Sequence, residues 1–143
     1  NNFTQARFNA RKLIQLTVIT AVATGLMIIF LSRFIVQLYN IDQTLKDIVL
    51  TVVVIVGLAQ PIKMFNAVNI VGILRSGGDT KAAMLMEIFS LWGVGIPLVA
   101  IAGLVLKWSL PAVYIVMMVE ELVKAILGIW RTKTGKWVRN VVD

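Results

Sequence analysis

Residues 13–32 read LIQLTVITAVATGLMIIFLS, twenty positions without a charge between Lys12 and Arg33. As a helix rising 1.5 Å per residue, this stretch is about 30 Å long, the thickness of a bilayer's hydrocarbon core. Three further stretches follow the same pattern. Residues 48–74 are uncharged except at Lys63, residues 82–106 carry only Glu87, and residues 110–130 carry Glu120, Glu121 and Lys124. The chain therefore reads as all-α, a polytopic transmembrane helix bundle of four spans, with a basic tail at 131–143.

Composition excludes most alternatives. Of 143 residues, 59% are hydrophobic and 15% charged, and the mean hydropathy is +0.88, whereas a soluble domain has roughly a quarter of its residues charged. The absence of cysteine and histidine removes disulfides, thiolate or zinc sites and any Ser-His triad. No paired nucleophile and base is evident, so neither an enzyme nor a cofactor is expected. The basic residues behind the net charge of +7 mostly flank the apolar spans. This placement points to topology and anionic lipid headgroups rather than nucleic acid.

Nine basic residues fall on one side: Arg7, Arg11, Lys12, Arg75, Lys81, Arg131, Lys133, Lys136 and Arg139. Three fall on the other: Arg33, Lys46 and Lys107. The imbalance places both ends of this segment in the cytoplasm. In the tail, Trp137 between Lys136 and Arg139 reads as an interfacial anchor. The chain opens on Asn1-Asn2-Phe3 with no signal-peptide pattern, which suggests a start inside a longer protein.

The connections are short. Tyr39-Asn40-Ile41-Asp42 makes a turn, Lys107-Trp108-Ser109 is tight, and Pro111 suits the first turn of the last helix. The segment Leu74-Arg75-Ser76-Gly77-Gly78-Asp79-Thr80-Lys81 lacks the spacing of a phosphate-binding loop. It reads instead as a tight reversal in which glycine takes positive φ and Asp79 or Thr80 caps the next helix.

Charges at mid-span carry the functional candidates. Lys63 lies eleven residues from Leu74, roughly 16 Å deep. Glu120 and Glu121 lie at similar depth before Arg131, and Lys124 is spaced to pair with Glu120. Charges at that depth point to an ion or substrate pathway, for which Lys63, Asn66, Asn69, Glu87 and Glu120 are the candidates. Pro61 and Pro97 are candidate helix kinks, the latter beside Gly93 and Gly95. Ala21 and Gly25, four apart, suit close helix packing.

The run from Gly72 through Arg75, Gly77, Gly78, Asp79 and Thr80 to Lys81 resembles the loop joining the tenth and eleventh helices of multidrug and toxic compound extrusion (MATE) transporters. Trp92-Gly93-Val94-Gly95-Ile96-Pro97, Glu120-Glu121-Leu122-Val123-Lys124 and the Arg131–Trp137 stretch fit the same frame in order and spacing. The resemblance implies the last four helices of a twelve-helix, two-lobed antiporter in a bacterial inner membrane. Such a protein exports cationic or amphipathic drugs in exchange for Na⁺ or H⁺, with the lipid bilayer and its own remaining helices as partners. Many sodium-coupled members carry an aspartate in the helix matching residues 48–74, where this chain has Lys63; the resemblance therefore assigns no ion ligands. Two alternatives stand beside it. A lipid-linked saccharide flippase of related fold would favour arginines in the spans, and these have none. A small four-helix accessory or assembly protein would use the same topology.

Overall fold

The computed structural model describes residues 2–135, so the tail anchor expected at Lys136, Trp137 and Arg139 lies outside the described residues. Four helical rods account for nearly all of them: α1 (Asn2–Gln37), α2 (Gln43–Arg75), α3 (Thr80–Val105) and α4 (Leu110–Lys133). The rods exceed the apolar spans that specify them, most of all α1, which begins well before residue 13. Hydropathy sets where a helix meets lipid, while hydrogen bonding continues through the polar flanks until a residue stops it.

Those stops are identifiable. Asp42 accepts a hydrogen bond from the Thr44 backbone N–H at 3.2 Å and so caps α2. At the far end of α2, Gly78 takes φ 93°, Gly78 N–H reaches Arg75 O at 3.1 Å, and Asp79 N–H reaches Leu74 O at 2.9 Å. This pattern is a Schellman motif, and it needs a residue free to adopt the left-handed conformation. Pro111 sits in the first turn of α4 as expected. Asp79 precedes α3, but its side chain makes no capping bond there; the carboxylate is held by Arg131 instead. The expectation of a side-chain cap at this position is corrected.

Two of the rods are not uniformly wound. Ala67–Arg75 of α2, and Phe89–Gly95 and Ile101–Val105 of α3, adopt the wider π-helical turn. In α3 the first wide stretch ends just before Pro97. A proline ring clashes with the carbonyl four residues back, and a widened turn relieves that clash. α2 keeps α-helical winding past Pro61 up to Asn66.

Packing is by small residues. α1 lies along α2, α2 along α4, and α4 along α3. α1 and α2 touch at Gly25 and Gly57: a Cβ on Gly25 would stand 2.3 Å from the Gly57 carbonyl oxygen. Ala21, one turn earlier on α1, is also buried. Between apolar helices in lipid there is no hydrophobic driving force, so backbones that approach this closely gain dispersion contact instead. A compact cluster of Ile70, Ile73, Leu74, Ala83 and Met86 closes the end where α2 turns into α3. Outward faces are apolar, with Leu58, Trp92 and Leu104 among the exposed side chains. α1, α2 and α3 are each long and apolar enough to cross a membrane, and the whole is a helical membrane bundle.

Candidate functional site

Halfway along α4, two adjacent glutamates turn to different neighbours. Successive residues on a helix point about 100° apart, so Glu120 and Glu121 cannot share a partner helix face. Glu120 is buried at 4% exposure against Gly95 of α3, where a Cβ would meet its Oε2 at 2.5 Å. The backbone of α3 thus leaves room for the carboxylate only because residue 95 has no side chain. On its other side, Glu120 Oε1 accepts the Lys124 ammonium at 2.6 Å, the pair expected from their spacing.

Glu121 turns to α2. Asn66, itself 4% exposed, donates its amide Nδ2 to the Glu121 carboxylate at 2.7 Å and to the Glu121 backbone carbonyl at 2.8 Å. Lys124 Nζ stands farther off, 3.7 Å from Glu121 Oε1. Asn66, Gly95, Glu120, Glu121 and Lys124 therefore form one polar layer between α2, α3 and α4. Burying such charges in a low-dielectric interior is costly unless each finds a partner.

A second tier lies toward the ends of α2 and α4. Asn69 is buried and accepts from the Thr132 hydroxyl at 2.8 Å. Its Nδ2 rests where a Cβ on Gly128 would be, 2.6 Å away. Beyond that tier, two ion pairs tie the helix ends. Arg131 Nε donates to the buried Asp79 at 2.5 Å, and Arg75 pairs with Glu87 across the α2–α3 turn at a half-exposed position. The hydrogen bond to Asp79 raises the Arg131 pKa above the ordinary arginine value, against a smaller opposing effect of burial.

Of the residues singled out from the sequence, Asn66 and Glu120 come together in the mid-depth layer. Asn69 belongs to the second tier, and Glu87 lies at the end, held by Arg75. Lys63 is half-buried on α2 and pairs with none of the described carboxylates. In the family-like loop, Arg75 and Asp79 each supply one half of an ion pair, Gly78 supplies the left-handed turn, and Thr80 opens α3. Glu121, Lys124 and Gly95 were noted in the sequence without a place in the pathway, and Gly128 and Thr132 were not singled out. The glycines were the available signal, since each stands opposite a polar side chain that needs space. Among the described residues no group of three or more carboxylates comes together as a metal site.

The MatE family pattern matches residues 1–101. The chain belongs to the MatE family. This MatE chain is 28% identical over 123 residues to the uncharacterized transporter YisQ of Bacillus subtilis, covering 84% of the chain and 26% of YisQ. It is 35% identical over 60 residues to a probable multidrug resistance protein NorM of Xylella fastidiosa, covering 42% of the chain and 13% of that relative. The chain thus spans about a quarter or less of the length of these curated relatives. No solved structure matches it.

Proposed function

We propose that the chain forms the last four helices of a twelve-helix secondary antiporter that exports cationic or amphipathic drugs and toxic compounds in exchange for Na⁺ or H⁺. In this reading one six-helix lobe rocks against the other around a central cavity. All four helices cross a bacterial inner membrane, α4 with its three central charges turned inward. The excess of basic residues on one side, nine against three, supports cytoplasmic placement of both ends of the segment. One relative is named as a transporter and another as a probable multidrug resistance protein, which supports transport rather than catalysis as the role.

The observation that carries it is the mid-depth polar layer of a MatE chain. Glu120 stands ten residues into a 24-residue helix, about 15 Å from its start, and is nearly sealed from the surface. Ionisable groups held at that depth bias a transporter between its two states when their charge changes. The test uses the full-length transporter in everted membrane vesicles, with dye efflux as the readout. Glu120→Gln at normal expression is expected to lower efflux at least tenfold, and Lys63→Ala several-fold. Efflux by both variants equal to that of the parent would overturn the reading of these residues as part of the transport pathway.

A further inference from the structure

α1 and α2 meet backbone to backbone at Gly25 and Gly57. Between that crossing and the 38–42 connection they leave a cavity of about 560 Å³, within the roughly 300–1,000 Å³ typical of small-molecule sites. Its lining is graded. Ile29, Val54 and Ile55 line it two to four residues from the crossing, about 3–6 Å along the helix axes. Arg33 and Lys46 line it eight and eleven residues from the crossing, about 12 and 16 Å away. The hydrocarbon ends at that second level, because Arg33 closes the uncharged run of α1 and Lys46 with Asp47 precedes that of α2. The cavity thus joins an apolar inner half to a cationic rim at the height of the headgroups.

The rim carries charge of one sign. The connection as a whole balances, with Asp42 and Asp47 against Arg33 and Lys46. The aspartates, however, bond elsewhere: Asp42 accepts from the Thr44 backbone N–H and Asp47 from the Gln43 amide. Neither lines the cavity. Arg33 and Lys46 make no ion pair with a described carboxylate, although Lys46 is half-buried. Partial desolvation of an unpaired ammonium is costly, and a phosphate oxygen between it and a guanidinium offsets that cost through charge-assisted hydrogen bonds.

We propose that this cavity holds one anionic phospholipid, such as phosphatidylglycerol, with its phosphate between Arg33 and Lys46 and the upper part of an acyl chain against Ile29, Val54 and Ile55. The rim repels the cationic compounds of the proposed transport reaction, so the site is separate from that pathway and does not depend on it. A free phosphate would satisfy the rim and leave the apolar half unfilled. A lipid matches both halves, and it occupies space between two helix ends that their own side chains leave open. Binding to the folded protein alone also raises its stability.

The test uses the purified full-length protein, stripped of lipid in detergent and titrated with phosphatidylglycerol or phosphatidylcholine. Lipids retained per protein are counted by native mass spectrometry, and melting is followed in parallel. The parent is expected to retain phosphatidylglycerol in preference to phosphatidylcholine and to melt higher with it. Each basic group near an anionic headgroup strengthens attachment about fivefold, so Arg33→Gln with Lys46→Gln is expected to weaken apparent affinity about tenfold or more. Arg11→Gln with Lys12→Gln removes the same charge from the opposite boundary of α1 and is expected to leave the preference in place. The exchange Arg33→Lys with Lys46→Arg keeps both charges and is expected to bind like the parent, which separates lost charge from a lost fold. Excess inorganic phosphate is expected not to displace the lipid. No preference in the unaltered parent overturns the site, as does an exchange variant as weak as the glutamine pair. Undiminished binding by the Arg33 and Lys46 glutamine variant, an equal loss in both glutamine pairs, or displacement by inorganic phosphate also overturns it.

Discussion

Replacing Gly25 by alanine tests the closest helix contact in the structure. The new Cβ would stand 2.3 Å from the backbone oxygen of Gly57, and ordinary contact begins at 3.4 Å. The helices must therefore part by about 1 Å at the crossing, since a backbone carbonyl cannot rotate aside as a side-chain end can. Separation of that size weakens every contact around the crossing, and overpacking of this kind costs about 1–3 kcal/mol. Alanine also gains up to about 1 kcal/mol of helix propensity over glycine, which blurs a single measurement. Gly72→Ala supplies the control, because the nearest atom to its new Cβ is 3.6 Å away and belongs to Val68. To first order the propensity gain cancels between the two variants, leaving the steric term. In the purified full-length protein, thermal unfolding followed by gel filtration should show Gly25→Ala melting several degrees below Gly72→Ala. Equal midpoints, or a higher one for Gly25→Ala, would refute the reasoning that α1 and α2 are locked backbone to backbone.

Two further predictions concern the ends of the helices. Arg131→Met removes the guanidinium from the buried Asp79 and should destabilise the protein, by less than the about 3–5 kcal/mol of a pair buried on both sides because the Arg131 side chain is partly exposed. The double variant with Asp79→Asn should recover part of that loss, and strict additivity of the two singles in thermal melts would show that the pair is not coupled. Lys107 connects α3 to α4 at φ 50°, a conformation costing a non-glycine residue about 1 kcal/mol. Lys107→Gly should raise the melting midpoint by a degree or two, and a lower midpoint would mean the lysine side chain contributes more than its strain removes.

Much of the architecture was legible because the signals behind it are local or averaged. Twenty uncharged residues between Lys12 and Arg33 specify a span however they pack, and Gly78 or Pro111 act through their own backbone preferences. Asp79 shows where local reasoning stops. Its position before α3 satisfies every rule for an N-cap, but Arg131, 52 positions later, offers a charge that the α3 backbone amides do not match. Long-range charge pairing outweighs a capping bond worth about 1 kcal/mol. The candidate site was half legible for a related reason. Depth follows from counting along a helix, so Glu120 and Asn66 could be placed at the right level of the bundle. Facing does not follow from counting, because rotating α4 by one residue would exchange the roles of Glu120 and Glu121. What fixes the rotation is space: Gly95 is the position on α3 where a carboxylate fits, Gly128 is the position on α4 where the Asn69 amide fits, and Gly57 is the position on α2 where Gly25 can come close. In a membrane bundle, where every outward face is equally apolar, complementarity between a small residue on one helix and a polar or close-packed residue on the next carries the information that amphipathicity carries in water. The two glutamates are therefore distinguished by what they lie against. Glu120 fills a gap left by a missing side chain and takes the shorter ion pair with Lys124, while Glu121 meets the Asn66 amide and keeps the longer one.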